Sequence, residues 1–96
     1  MPLFKEIFFV LSLGLVNSWT VDTSVGSIKL WNSITSSSNG TTLAAVVNYG
    51  NIWTSANAGT TWTEVTSVGS TKAWRSITSS SDGTKLAAVV YNGNIW

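Results

Sequence analysis

The chain has no cysteine, no histidine, a single proline and few charged residues among its 96 positions. Each shortage removes a class of chemistry. Without cysteine no disulfide framework forms, although the redox compartment stays open because many secreted repeat proteins also do without disulfides. Without cysteine and histidine the common ligands of zinc, haem and iron–sulfur centres are missing, and no cofactor or metal is expected. Lys5, Lys29, Lys72, Arg75 and Lys85 stand against Glu6, Asp22, Glu64 and Asp82. Nothing in that balance speaks for nucleic acid or for an acidic disordered tail. What is abundant is Ser, Thr and Val, with six Trp, a profile of strands joined by tight turns.

Residues 1–18 differ from the rest. Lys5 precedes an apolar run from Ile7 to Val16, and Asn17 and Ser18 follow it. A membrane-crossing helix needs about 20 apolar residues, so no stable membrane span is expected. The run has the length of a secretory signal core, with Val16 and Ser18 placed like the small residues before a cleavage point. Glu6 and Asn17 fit that pattern poorly, and a buried apolar element or unrelated joined sequence is the competing reading. Secretion or export is expected only under the signal reading, and localisation is otherwise open.

From Trp19 onward the chain repeats itself. Trp19, Trp31 and Trp53 return as Trp62, Trp74 and Trp96, a constant offset of 43 residues, and the stretch from Trp31 to Val47 recurs almost unchanged from Trp74 to Val90. Strand-and-turn repeats of about 40 to 45 residues have the size of a four-stranded β-propeller blade. Within one period Trp31 to Ser36 is predicted as a strand, Asn39-Gly40 as a two-residue hairpin turn, and Thr41 to Val47 as the returning strand. Asn51 to Thr54 and Thr61 to Thr66 complete an antiparallel meander. Asn39-Gly40-Thr41 also spells an N-glycosylation sequon, but the turn reading is preferred. The unbroken run Leu43-Ala44-Ala45-Val46-Val47 predicts a strand covered on both faces.

One stretch carries a specific pattern. Ser55-Ala56-Asn57-Ala58-Gly59-Thr60-Thr61-Trp62 resembles the Asp-box turn, S-x-D-x-G-x-T-W, of the BNR or sialidase-like repeat, with Asn57 where the family has Asp. The resemblance covers Trp19 to Trp96 and implies an all-β fold: antiparallel four-stranded blades of a β-propeller fragment, about two blades, in units of about 19–61 and 62–96. It assigns Ser55, Asn57, Gly59, Thr61 and Trp62 to a structural turn. The Asp position accepts hydrogen bonds from its own hairpin, the Gly takes a backbone conformation that a Cβ disfavours, and the Trp packs under the turn. The Asn57 amide oxygen can still accept, but a charge-assisted bond worth about 1.5 to 3 kcal/mol gives way to a neutral one of about 1.

The same resemblance raises catalysis. A sialidase-like site uses an arginine cluster, a Tyr nucleophile with a Glu, and an Asp acid/base. Here Arg75 is the single arginine, its counterpart in the other repeat is Asn32, and neither Tyr49 nor Tyr91 has a Glu nearby in sequence. Glu64 and Asp82 would act only with shifted pKa values. The chain is therefore read as a non-enzyme: a scaffold or binding module for protein or glycan. The alternative is a fragment of a sialidase-like glycosidase with its catalytic residues in other blades, and a third reading is near-identical repeats without a selected ligand. The recurrence of Trp31, Trp53, Trp74 and Trp96 favours packing over a stacking surface for sugars. Repeats bury their faces only against neighbours, so two blades are expected to be a truncated array, a marginal sheet with an exposed face, or a unit that self-associates to complete a propeller.

Overall fold

The computed structural model describes residues 19–96; the expected signal over residues 1–18 lies outside them. Among the described residues the fold is all-β, with no helix, in six strands: β1 (Trp31–Ser36), β2 (Leu43–Gly50), β3 (Ile52–Ser55), β4 (Thr63–Val65), β5 (Lys72–Ser79) and β6 (Leu86–Val90). No helix among them is long and apolar enough to cross a membrane. Every pairing is antiparallel, and the sheet is open.

The first repeat is the meander the sequence predicts. β1 pairs with β2, β2 with β3 and β3 with β4, each connection short enough to return the chain beside itself. The second repeat forms its first pair, β5 with β6, in the same register 43 residues on, and an isolated bridge from Val89 to Ile95 stands where Val46 meets Ile52. Both repeats carry a bulge at the same point of the first pair, after Trp31 and after Trp74. That repetition of an irregularity shows that the sequence repeat is a structural repeat.

The predicted two-residue turn at Asn39-Gly40 is corrected. β1 ends at Ser36 and β2 begins at Leu43, leaving a longer connection. It is closed by Ser37 N–H donating to the Thr42 carbonyl at 2.9 Å and Gly40 N–H donating to that of Ser37 at 3.0 Å. The cause is a side chain: Ser37 Oγ accepts from the Thr42 N–H at 3.1 Å and donates to Asn39 Oδ1 at 2.9 Å, which offers the backbone an alternative to ladder bonds. Asp82-Gly83 repeats this through Ser80.

The core lies between the repeats. Register puts Ala44, Val46 and Ile52 on one face of the first meander, and Ile34, Ala45 and Trp53 on the other. The first set packs with Trp74, Ile77 and Ala88 of the second repeat, and Val68 and Val90 close around them. At this seam Trp74 Nε1 donates to the Gly50 carbonyl at 3.1 Å, Asn32 Nδ2 donates to the Trp74 carbonyl at 2.6 Å, and Ser38 N–H donates to the Ser81 carbonyl at 2.7 Å. β5 also pairs with the far end of β2, Asn48 opposite Ala73 and Gly50 opposite Lys72. As expected for a strand covered on both faces, Ala44 to Val47 are all buried; in the equivalent run Leu86 to Val90 only Ala88 is.

Candidate functional site

The Ser55 to Trp62 turn links β3 to β4 and meets most of its hydrogen-bonding needs internally. Buried Ser55 is its hub: its Oγ accepts from the Gly59 N–H at 2.9 Å and donates to Asn57 Oδ1 at 2.9 Å. Asn57 Oδ1 also accepts from the Thr61 N–H at 2.9 Å, and Asn57 Nδ2 donates to Thr61 Oγ1 at 2.8 Å. The amide thus uses both ends, where a carboxylate only accepts. Ala58 and Gly59 both take positive φ, 58° and 87°, a conformation suited to Gly and uncommon for Ala. The Ala58 N–H ties the turn to the β1–β2 connection through the Thr41 carbonyl at 2.8 Å.

Sequence reading missed Asp22. It lies in the segment before β1, yet Oδ2 accepts from Trp62 Nε1 at 3.1 Å. A Cβ built on Gly59 would stand 3.2 Å from that same oxygen. Ser24 completes the clasp, donating to Asp22 Oδ1 through both N–H and Oγ. These donors, Ser24 first and Trp62 after it, hold the Asp22 carboxyl below its ordinary value. The Asp82 carboxyl is likewise held at about 2 by the Thr84 N–H and the Ser80 and Thr84 hydroxyls. Partners 40 residues apart leave no local signal, which is why the Asp22–Trp62 pair is invisible to pattern reading.

Beside the turn lies the main candidate surface, an open groove of ≈ 670 Å³. It is lined by Val21 to Thr23 and Val25 to Ile28 from the segment before β1, by Trp31 to Ile34 and Ala45 of the sheet, and by Trp62 of the turn. Trp31 meets Trp53 edge to face at 6.3 Å, and Trp74 meets Trp96 at 6.4 Å, with Lys29 and Lys72 over the Trp53 and Trp96 rings at 5.0 and 4.8 Å. The four tryptophans therefore serve packing pairs first, yet Trp31 is 41% exposed where Trp74 is 1% exposed. Arg75 lies 4.5 Å from the Tyr91 ring, a cation–π arrangement. No protein-family model matches the chain, and neither a curated protein nor a solved structure is significantly similar to it.

Proposed function

We propose that this chain is a non-catalytic repeat module of the Asp-box β-propeller type, a scaffold that recognises protein or glycan through surfaces formed where blades stack. The observation that carries this reading is the seam: Ala44, Val46 and Ile52 on one face of the first repeat pack on Trp74 and Ile77 from the opposite face of the second, and hydrogen bonds from Trp74 to Gly50, Asn32 to Trp74 and Ser38 to Ser81 tie the two together. That is how blades associate in propellers. The Ser55 to Trp62 turn supports it as an architectural device, because the side chains of Ser55, Asn57 and Thr61 are spent on its own backbone and each other and that of Trp62 on Asp22.

The glycosidase alternative finds less support in the carboxylates. A general acid at neutral pH needs a raised pKa, whereas the donors around Asp82 and Asp22 favour the ionised form. Arg75 is engaged with Tyr91 and has no second arginine to complete a carboxylate clamp.

The architecture is tested by adding further copies of the 43-residue unit in tandem after Trp96. Stability is expected to rise with each unit, as nearest-neighbour seams accumulate; a midpoint that does not move would contradict stacking. Turnover of a fluorogenic sialoside above background by the present chain would contradict the non-catalytic reading.

A further inference from the structure

The geometry points to head-to-tail self-association, in which the Ala87, Val89 and Ile95 face of one copy enters the Trp31 and Ile34 groove of the next. This inference rests on the stacking reading above and names the partner of the groove as a second copy of this chain.

The argument is one of equivalent positions. Inside the chain, Ala44, Val46 and Ile52 pack on Trp74 and Ile77. Forty-three residues on, the first set is Ala87, Val89 and Ile95; 43 residues back, the second is Trp31 and Ile34. Each face left uncovered among the described residues is thus one half of a seam whose other half the same chain carries. Val46 is 0% exposed and Val89 38%; Ile77 is 6% exposed and Ile34 63%. Polar groups correspond too. Trp31 Nε1 would find the Gly93 carbonyl of the neighbour as Trp74 finds that of Gly50, and Leu30 would lie opposite Tyr91 as Ala73 lies opposite Asn48. Because the two faces differ, the contact is heterologous and propagates into a ring or a filament rather than stopping at a symmetric dimer.

Three residues on the tail side depart from the internal seam: Arg75 for Asn32, Lys85 for Thr42 and Tyr91 for Asn48. The two cations would lie opposite Trp31 and Gly40, as Asn32 and Thr42 lie against Trp74 and Gly83, and the one carboxylate lining the groove, Asp22, is already held by Ser24 and Trp62, so the intermolecular seam is weaker than the internal one. Charges at an open sheet face are a familiar brake on association.

Sedimentation velocity of the 96-residue chain over a concentration series tests this together with two variants at exposed positions, Trp31→Asp and Val89→Asp. The wild type is expected to form a concentration-dependent series of oligomers. Each variant alone is expected to be monomeric, and an equimolar mixture to form a dimer and nothing larger, since one variant keeps its tail face and the other its groove. The pair Arg75→Asn with Lys85→Thr is expected to lower the dissociation constant several-fold. Should an aspartate variant fail to fold by circular dichroism, Leu30→Cys with Tyr91→Cys in this cysteine-free chain replaces it. Oxidation is expected to give a ladder of covalent multimers that neither single cysteine gives. A wild type monomeric at every concentration, as when residues 1–18 cover the groove, overturns the proposal. So does a single aspartate variant that still dimerises. Stabilisation by tandem repeats without self-association would defeat this inference alone; loss of both would defeat the stacking reading as well.

Discussion

Tyr49 and Asn92 occupy equivalent positions, and both have positive φ, 56° and 53°. The second repeat fills the site with a residue that tolerates the left-handed region; the first fills it with an exposed tyrosine that does not. Tyr49→Asn is therefore expected to stabilise the chain by about 1 kcal/mol, read as a rise in the urea midpoint. Asn57 is the opposite case, a residue whose amide is used at both ends. Asn57→Ala is expected to cost about 1 to 2 kcal/mol in the same assay. Asp82 makes the matching statement about pH. Its carboxyl is depressed to about 2, so its contribution is fully present above the ordinary carboxylate value of 3.8 and is lost as pH falls through the folded value. The stability difference between wild type and Asp82→Asn is expected to change between pH 4 and pH 2 and to stay flat from pH 5 to pH 7. A carboxyl resonance for Asp82 titrating near 4 in the folded chain would contradict the turn geometry.

At the scale of elements, the turns show what was legible and what was not. β1 was readable to its boundaries because β-favourable residues run from Trp31 to Ser36 without a competing signal. The β1–β2 connection was misjudged because Asn-Gly is a hairpin signal by propensity, while the conformation is decided by Ser37 Oγ, whose bonds to Thr42 and Asn39 no dipeptide rule contains. The Ser55 to Trp62 turn was legible in its own residues and not in its anchor, since Asp22 arrives from a distant segment. Two glycines at equivalent turns separate local strain from contact. Gly40 and Gly83 have nearly the same φ, 75° and 77°, but a Cβ on Gly40 meets nothing within 4 Å while one on Gly83 lies 2.7 Å from Thr42 Cβ. Both Gly→Ala changes incur the cost of an L-residue at positive φ, about 1 to 2 kcal/mol. Gly83→Ala is expected to lose measurably more, the excess being the overpacking of the seam. Equal losses in chemical denaturation would place Thr42 elsewhere.

The whole molecule follows from one repeat written twice. The 43-residue period and the apolar run in β2 were readable from sequence, and so was the expectation that faces must be covered by neighbours. Which copy is covered was not readable, because Trp31 and Trp74 share almost the same local sequence and differ only in what the fold places against them. The structure resolves this by giving the second repeat's Trp74 and Ile77 to the back of the first meander and leaving Trp31 and Ile34 to line the groove. Among the described residues the candidate surface is therefore not a motif but a repeat face left uncovered, and this explains why no pattern of chemistry-bearing residues announced it.

Paired truncation of the two equivalent tryptophans reaches this claim most directly. Unfolding of Trp31→Ala and Trp74→Ala is compared with wild type by circular dichroism in urea, at a concentration where the chain is monomeric. Loss of buried Trp74 removes the centre of the core and its bond to the Gly50 carbonyl, and is expected to cost about 3 to 5 kcal/mol. Loss of Trp31 removes a half-exposed side chain packed mainly on Trp53 and is expected to cost about 1 kcal/mol. Equal costs, or a larger one for Trp31, would contradict the account that the core of this chain lies at the seam between its repeats.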